Sequence, residues 1–404
     1  MTMTRRALLG AASVAALPIP GRAQAKPTIR IGVINDQSGP YRDVTGLTGV
    51  ACAKQAIQDF AAGSFDVEVL TADHQNKPDV ASTIVRQWID RENIDLVLDA
   101  PSSAVALALA GICKERNKPF ITTASATSDL TGKSCQPTSI QWVYDSYANA
   151  KSTGGSMIKA GGDTWFFITP NYAAGIAYQR DTTRFIEAAG GKVMGAHLYP
   201  FPETTDFSGP LIEAQASGAK VAGIGGAGSD LINIVKQARE FGIPRKMKMA
   251  ALIVFSTDIH AMGLEMAQGL RMSETYYWDL NDRTRAFQAR IQPKVKLWPN
   301  MAQAGNYSAA LHYLKAVQDM GAAAAKADGT ALISRMKAMP TDDDCFGKGK
   351  IREDGRKMHP IYLFEAKSPA ESKHEWDLYK KIVETPMEEV WRPLSEGGCP
   401  FIKA

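Results

Sequence analysis

The chain has 404 residues, 45% apolar and 22% charged, and its 46 Lys and Arg against 42 Asp and Glu leave a formal charge of +4. Such proportions describe a globular chain of two or three domains; they exclude disorder and collagen-like repeats and give no support to a large nucleic-acid footprint. Five cysteines are too few for a disulfide scaffold, and the six histidines, at 74, 197, 260, 312, 359 and 374, never fall close enough together for a local metal motif.

Residues 1–25 read as an address. Arg5 and Arg6 form a basic start, Ala7 to Leu17 is a short run of small and apolar residues, and Ala23-Gln24-Ala25 fits a small-x-small cleavage site. Thr4-Arg5-Arg6-Ala7-Leu8-Leu9 also resembles a twin-arginine export signal. Cleavage after Ala25 removes Arg5, Arg6 and Arg22 and no acid, so the formal charge falls to +1. No later segment reaches the roughly 18 apolar residues of a membrane helix. The expected product is an exported protein of the periplasm without stable membrane insertion. Cys135 and Cys399 each lie beside turn-like residues and are candidates to pair, while Cys113 reads as a core thiol.

From Thr28 onward strand and helix alternate. Ile29 to Ile34 is a strand and Gly46 to Phe60 a helix. Phe65 to Thr71 alternates like a strand, and Asp79 to Arg91 is helical with Val80, Ile84, Trp88 and Ile89 on one face. Ile94 to Leu98, Ser103 to Arg116 and Pro119 to Thr122 continue the rhythm. A second series follows: strand Thr164 to Ile168, helix Tyr172 to Ala189, strand Lys192 to Leu198, helix Ser208 to Ser217, strand Lys220 to Ile224, helix Asp230 to Phe241 and strand Met249 to Phe255. Two such series predict two doubly wound parallel sheets with helices on both faces. Beyond Ser273, Asp282 to Ile291, Ala302 to Met320 and Ala331 to Met339 read as helices. Lys350 to Arg352 and His359 to Glu365 read as a hairpin turning at Asp354-Gly355, and Asp342-Asp343-Asp344 as a solvated turn.

Two patterns suggest chemistry and carry little of it. Gly223, Gly225 and Gly228 satisfy G-x-G-x-x-G between a strand and a helix, but no acid ends the following strand to hold a ribose. A tight turn facing a cleft is the reading preferred. Ser102-Ser103 opens a helix without a G-x-S-x-G elbow, and a nucleophile there would need a His and an acid brought in from elsewhere, with His74 and His260 candidates only because nothing in the sequence excludes them. No catalytic role, metal or cofactor is expected.

Several strand-to-helix turns carry small polar residues and aromatics: Asn35 to Tyr41, Asp99 to Ala104, Thr122 to Gly132, Thr169 to Gly175 and Gly225 to Asp230. All leave the carboxyl ends of parallel strands, where such sheets bind ligands. Helix starts at Ser103 and Ser128 would suit an anionic group. These segments, with Thr71 to Ala81, resemble the branched-chain amino-acid-type substrate-binding proteins of ABC importers, from about Ile29 to Cys399.

The resemblance implies two α/β lobes joined by a three-segment hinge, with lobe 1 formed by residues 26–146 and 279–340 and lobe 2 by 147–278 and 341–404. It implies a monomer that closes on a small-molecule ligand and hands it to an ABC permease, or, alternatively, a sensor of the same fold. The positions it carries over to the cleft are Ser38, Gly39, Tyr41, Ser102, Ser103, Ala124, Ser125, Ala126, Tyr172 and Ala227. Amino-acid-binding relatives place an acid near the end of the strand Met249 to Phe255 to hold the ammonium. Here stand Ile253, Val254 and Phe255, with Asp258 the nearest acid. A buried ammonium without a carboxylate is costly, so an aromatic or apolar carboxylate is expected, walled by Tyr41, Tyr172 and Phe255 with Trp142 or Tyr276 at the rims. Asp258, if it reaches the cleft, restores an amine site.

Overall fold

The computed structural model describes residues 26–402; the expected export signal lies outside them. The chain runs β1 (Thr28–Asn35), α1 (Gly46–Phe60), β2 (Asp66–Asp73), α2 (Pro78–Arg91), β3 (Leu96–Asp99), α3 (Ser103–Glu115), β4 (Phe120–Thr122) and β5 (Ser139–Gln141). These five strands form one parallel sheet in the order β2-β1-β3-β4-β5. Its central strands are buried on both faces, which is why LVLD in β3 and FIT in β4 show no alternation. Pro78 begins α2 at the position where a missing N–H costs nothing, and Ala81, Val85 and Trp88 form its buried face.

A helix interrupted by a wide π turn follows: α4 (Ser146–Asn149), the turn at Ala150–Gly154, and α5 (Gly155–Lys159). The second lobe then contains β6 (Thr164–Pro170), α6 (Ala173–Ala188), β7 (Lys192–Tyr199), α7 (Ser208–Ala216), β8 (Val221–Ile224), α8 (Ser229–Glu240), β9 (Lys248–Ala251), α9 (Ser256–Met262), α10 (Leu264–Ala267) and β10 (Arg271–Glu274). The chain returns to the first sheet as α11 (Asp282–Ile291), α12 (Met301–Met320), α13 (Ala322–Ala327) and α14 (Gly329–Ala338). Helix α12 is buried along most of its length against α1. A Cβ on its Gly305 would come within 2.3 Å of Val143, so only glycine permits this close approach. Asn300 caps α12 by accepting from the amides of Ala302 and Gln303.

The last third completes both halves. Strands β11 (Thr341–Asp343), β12 (Gly347–Ile351) and β13 (Lys357–Met358) form a small antiparallel sheet, and β14 (Ile361–Ala366) and β15 (Tyr379–Thr385) extend the second sheet to β15-β14-β10-β9-β8-β6-β7. The architecture is α/β with two parallel-sheet cores, and β14 and β15 are antiparallel additions at one edge. The chain crosses between lobes after β5, after β10 and between α14 and β14.

Some sequence expectations need correction. The hairpin does turn at Gly355, whose φ is +85°, but its return strand is Lys357–Met358; Ile361–Ala366 pairs with β10 instead. The strand expected to reach Phe255 stops at Ala251. Asp342 to Asp344 is no solvated turn: Asp342 and Asp344 pair with Arg283, and Asp343 is buried, accepting from the amides of Cys345 and Phe346. Cys135 and Cys399 form a disulfide, and Cys52, Cys113 and Cys345 are buried thiols. The lobe limits stay a proposal. Two segments beyond residue 340 touch the first lobe: Arg356 bridges to Gln141 of β5, and the tail is tied to Cys135.

Candidate functional site

A narrow cavity, with about 20 Å³ of free space, lies between the carboxyl ends of the two sheets. Tyr41 and Val44 reach it from the β1–α1 loop, Pro101 from the start of α3, Ala124 and Ala126 from the loop after β4, and Tyr144 from the crossing after β5. The second lobe supplies Tyr172, Ala174 and Tyr178 from α6 and its approach, Gly225 and Ala227 from the β8–α8 loop, and Ile253 and Phe255 from the segment before α9. Tyr41 and Tyr172 hydrogen-bond through their hydroxyls at 2.5 Å, so the two lobes touch here. The Phe201 ring stacks on both, at 5.4 and 5.1 Å between centroids.

The wall is apolar and aromatic with phenolic handles. Burial raises the pKa of Tyr41, Tyr144, Tyr172 and Tyr178, which keeps all four protonated as donors. Tyr144 donates to the carbonyl of Ala124, and Tyr178 accepts from Asn149 Nδ2 at 3.1 Å. No side chain lining the cavity is charged. Four helices of nine or more residues begin beside it: α1, α3, α6 and α8. None has a side-chain hydrogen bond at its N-cap; away from the cavity α11, α12 and α14 are each capped by Asn or Asp, while α2 and α7 are uncapped as well. The first-turn amides of a helix have no intrahelical partner and carry its positive end. The arrangement suits a ligand with one anionic group and an apolar body.

Of the residues expected at the cleft, the structure brings Tyr41, Ala124, Ala126, Tyr172, Ala227 and Phe255 onto this cavity. The others have local tasks. Ser38 Oγ donates to Asp73 at 2.5 Å, and Gly39 N to Asp36 at 2.7 Å, which folds the first loop. Ser103 Oγ accepts from the amides of Ala126 and Thr127, and Ser125 Oγ donates to Ala100 O at 2.8 Å. Ser102 is the N-cap of α3 without a capping bond. Asp258 Oδ2 accepts from Phe255 N at 3.1 Å and Gly228 N at 3.4 Å, fastening two cavity-lining loops together; burial lifts its pKa to about 7. Trp142 and Tyr276 are core residues rather than rims. Trp142 Nε1 donates to Ser308 Oγ, and Tyr276 packs edge-on against Phe287. The Ser128 start is also engaged: its amide donates to Ser146 Oγ and its hydroxyl to Asp181.

Reasoning from sequence missed Val44, Tyr144 and Tyr178; it named the loops that carry Pro101, Ala174 and Gly225 and the strand end that carries Ile253, without assigning those residues to the wall. Tyr178 follows Ala174 by one helical turn, so the spacing on α6 was a usable signal. The glycine run makes a turn at the cleft: Gly228 has φ +60°, and a Cβ there would lie 2.6 Å from Pro40 O of the other lobe. Neither His74 nor His260 bonds to Ser102 or Ser103; His74 Nδ1 accepts from Asn76 N and His260 pairs with Glu375.

Residues 28–373 match the family model described as periplasmic binding protein. The chain is 39% identical to a periplasmic binding protein from Burkholderia mallei, with a TM-score of 0.89 over 93% of this chain and 99% of that one. It is 35% identical to a branched chain amino acid ABC transporter periplasmic ligand-binding protein from Burkholderia xenovorans, with a TM-score of 0.82 over 92% and 99%. It also shares its fold with an ABC transporter solute binding protein from R. palustris solved with benzoate, at 19% identity and a TM-score of 0.81 over 93% and 100%. Among curated proteins none matches.

Proposed function

The chain belongs to the periplasmic binding protein family and is a solute-binding protein of the ABC-transporter type, and from that premise we propose that its ligand is a small aromatic or otherwise apolar carboxylate. The observation that carries this reading is the cavity wall: four phenols, one phenyl ring, uncapped helix starts and no carboxylate. An α-amino acid brings an ammonium group, and its burial without an acid is costly. The one acid close by, Asp258, already accepts two main-chain amides behind the wall. The benzoate held by the R. palustris protein of the same fold agrees with this chemistry.

In this reading the carboxylate lies against the amides opening α3 and α6, and the ring lies between Tyr144, Tyr172 and Phe255. Closure of the lobes brings Tyr41 to Tyr172 and traps the ligand, and the permease reads the closed form. Export of residues 26 onward by the signal at 1–25 belongs to the same proposal.

A thermal-shift screen of the mature chain tests it. A ligand at 100 times its dissociation constant stabilises by about 2.7 kcal/mol. Benzoate or a hydroxybenzoate is expected to raise the melting temperature, and leucine, valine and isoleucine to leave it unchanged. Stabilisation by the branched-chain amino acids alone would sink the proposal, and that is the outcome the name of the B. xenovorans relative points to.

A further inference from the structure

The foot of the second lobe carries a groove that plays no part in the cleft. It lies where β9 and β10 begin, at the opposite end of the second sheet from Ile253 and Phe255, and offers about 320 Å³ of free space, open to solvent on one side. Met157, Met247, Met249 and Met266 line it. Thioether side chains are flexible and polarisable, and surfaces rich in them adapt to apolar guests.

The lining carries three cations, Arg239, Lys248 and Arg271, against one acid, Glu365. Arg239 Nη2 donates to the carbonyl of Gln268 at 3.3 Å, and Lys248 Nζ to that of Ala160 at 2.7 Å. Among the described residues neither has a carboxylate within ion-pair distance, and Arg239 Nε is buried with no partner at all. The groove's one acid, Glu365, is already shared by Arg271 at 3.2 Å and Lys380 at 2.8 Å. In a chain whose acids and bases nearly balance, this is a local excess of positive charge around an apolar hollow. A charge spread for solubility alone would not need the hollow, and a buried unpaired donor is costly to leave unmade.

We propose that this groove is a second ligand site, specific for a free amphipathic anion: an alkyl chain against the four thioethers and a carboxylate or sulfate head at Arg239 and Lys248. The hollow accommodates a single chain rather than a flat lipid surface. The proposal is independent of what the cleft binds.

Decanoate titrated into the mature chain, with its methionine methyls isotopically labelled for NMR, is the test. Saturable shifts are expected at Met157, Met247, Met249 and Met266, with the buried Met301 and Met336 of the first lobe unmoved. Decylammonium is expected to give none. The double variant Arg239→Gln, Lys248→Gln is expected to bind decanoate about tenfold or more weakly while melting as the parent does. Shifts at Met301 in place of the groove methionines, an equal response to decylammonium, or unchanged affinity in the double variant would each overturn the assignment. Sedimentation with phosphatidylglycerol vesicles in the absence of decanoate-induced shifts would overturn it in favour of a membrane surface.

Discussion

Tyr41 and Tyr172 meet through their hydroxyls at 2.5 Å, one from the β1–α1 loop of the first lobe and one at the entry to α6 of the second. In a pair of phenols one hydroxyl donates to the other, so one proton stays free to point elsewhere. The pair thus joins the lobes and still offers the cavity a donor, and Phe201, stacked on both rings, shields it from water.

Loss of either hydroxyl is expected to weaken ligand binding without unfolding the protein. A neutral hydrogen bond contributes about 1 kcal/mol, which is roughly fivefold in affinity. Tyr41→Phe and Tyr172→Phe are expected to show equal losses by calorimetry, and the double variant little more than either alone. Fully additive losses would mean that the two hydroxyls act separately.

The pattern of strands and helices was legible from Thr28 to Thr122 and again from Thr164 to Ala251 because parallel strands buried on both faces read as short apolar runs and their helices as amphipathic ones; β5, α4 and α5 between them were not. The Tyr41, Tyr172 and Ala227 loops were legible for the same reason, since loops after parallel strands face the cleft. What sequence could not show is which hydroxyls each loop uses for itself. Ser103 and Ser125 are donors and acceptors by type, yet Ser103 is engaged by the loop that follows β4 and Ser125 by Ala100 O of the loop that follows β3. Asp258 lies three residues from Phe255, and that spacing fits a ligand partner as well as the amide acceptor it is. Tyr144 was hidden because β5 has only three residues, too few to show a period.

Asp258 predicts how stability varies with pH. Burial lifts its pKa from 3.8 to about 7, so in the interval between them the folded chain keeps a proton that the unfolded chain has released. Raising the pH through that interval therefore favours unfolding. Asp99 and Asp230, both lifted to about 6 by burial, act in the same direction at lower pH. His74 and His312, held near 4 by burial, oppose them up to their ordinary 6.5. From about pH 6.5 to 7.5 Asp258 is the one of these still titrating, and the melting temperature is expected to fall there. Asp258→Asn keeps an acceptor for Phe255 N and Gly228 N and is expected to flatten that part of the profile. An unchanged slope in the variant would assign it to another group.

The disulfide between Cys135 and Cys399 closes a loop across 264 positions and anchors the tail beside the first lobe. On its way the tail touches both lobes: Arg392 donates to Ser128 O at 2.8 Å, and Glu396 pairs with Arg184 of α6 at 2.6 Å. Removing such a link is expected to cost about 2–4 kcal/mol, chiefly by freeing the unfolded chain. Cys399→Ser should lower the midpoint of denaturant unfolding, and a reductant should lower the parent to the same value while leaving the variant where it was.

Asp181 supplies a test of closure that leaves the cavity wall untouched. It sits on α6 of the second lobe, buried, and its Oδ2 accepts from Ser128 Oγ at 2.8 Å and from Ser146 Oγ at 2.5 Å. Ser128 belongs to the loop after β4 in the first lobe, and Ser146 begins the helix after the first crossing. Arg180 extends the contact to Ser128 Oγ and to Asp129 at 2.8 Å. Asp181→Ala leaves two buried hydroxyls without their acceptor, at about 1–3 kcal/mol, and it does so only where the lobes meet. The closed form is then less populated, and apparent affinity falls in proportion to the closed fraction. The expected result is a loss of roughly tenfold or more, expressed mainly in the rate of ligand release. Rapid-mixing fluorescence separates the two rates: a slower association with unchanged release would show that Asp181 shapes the open form instead.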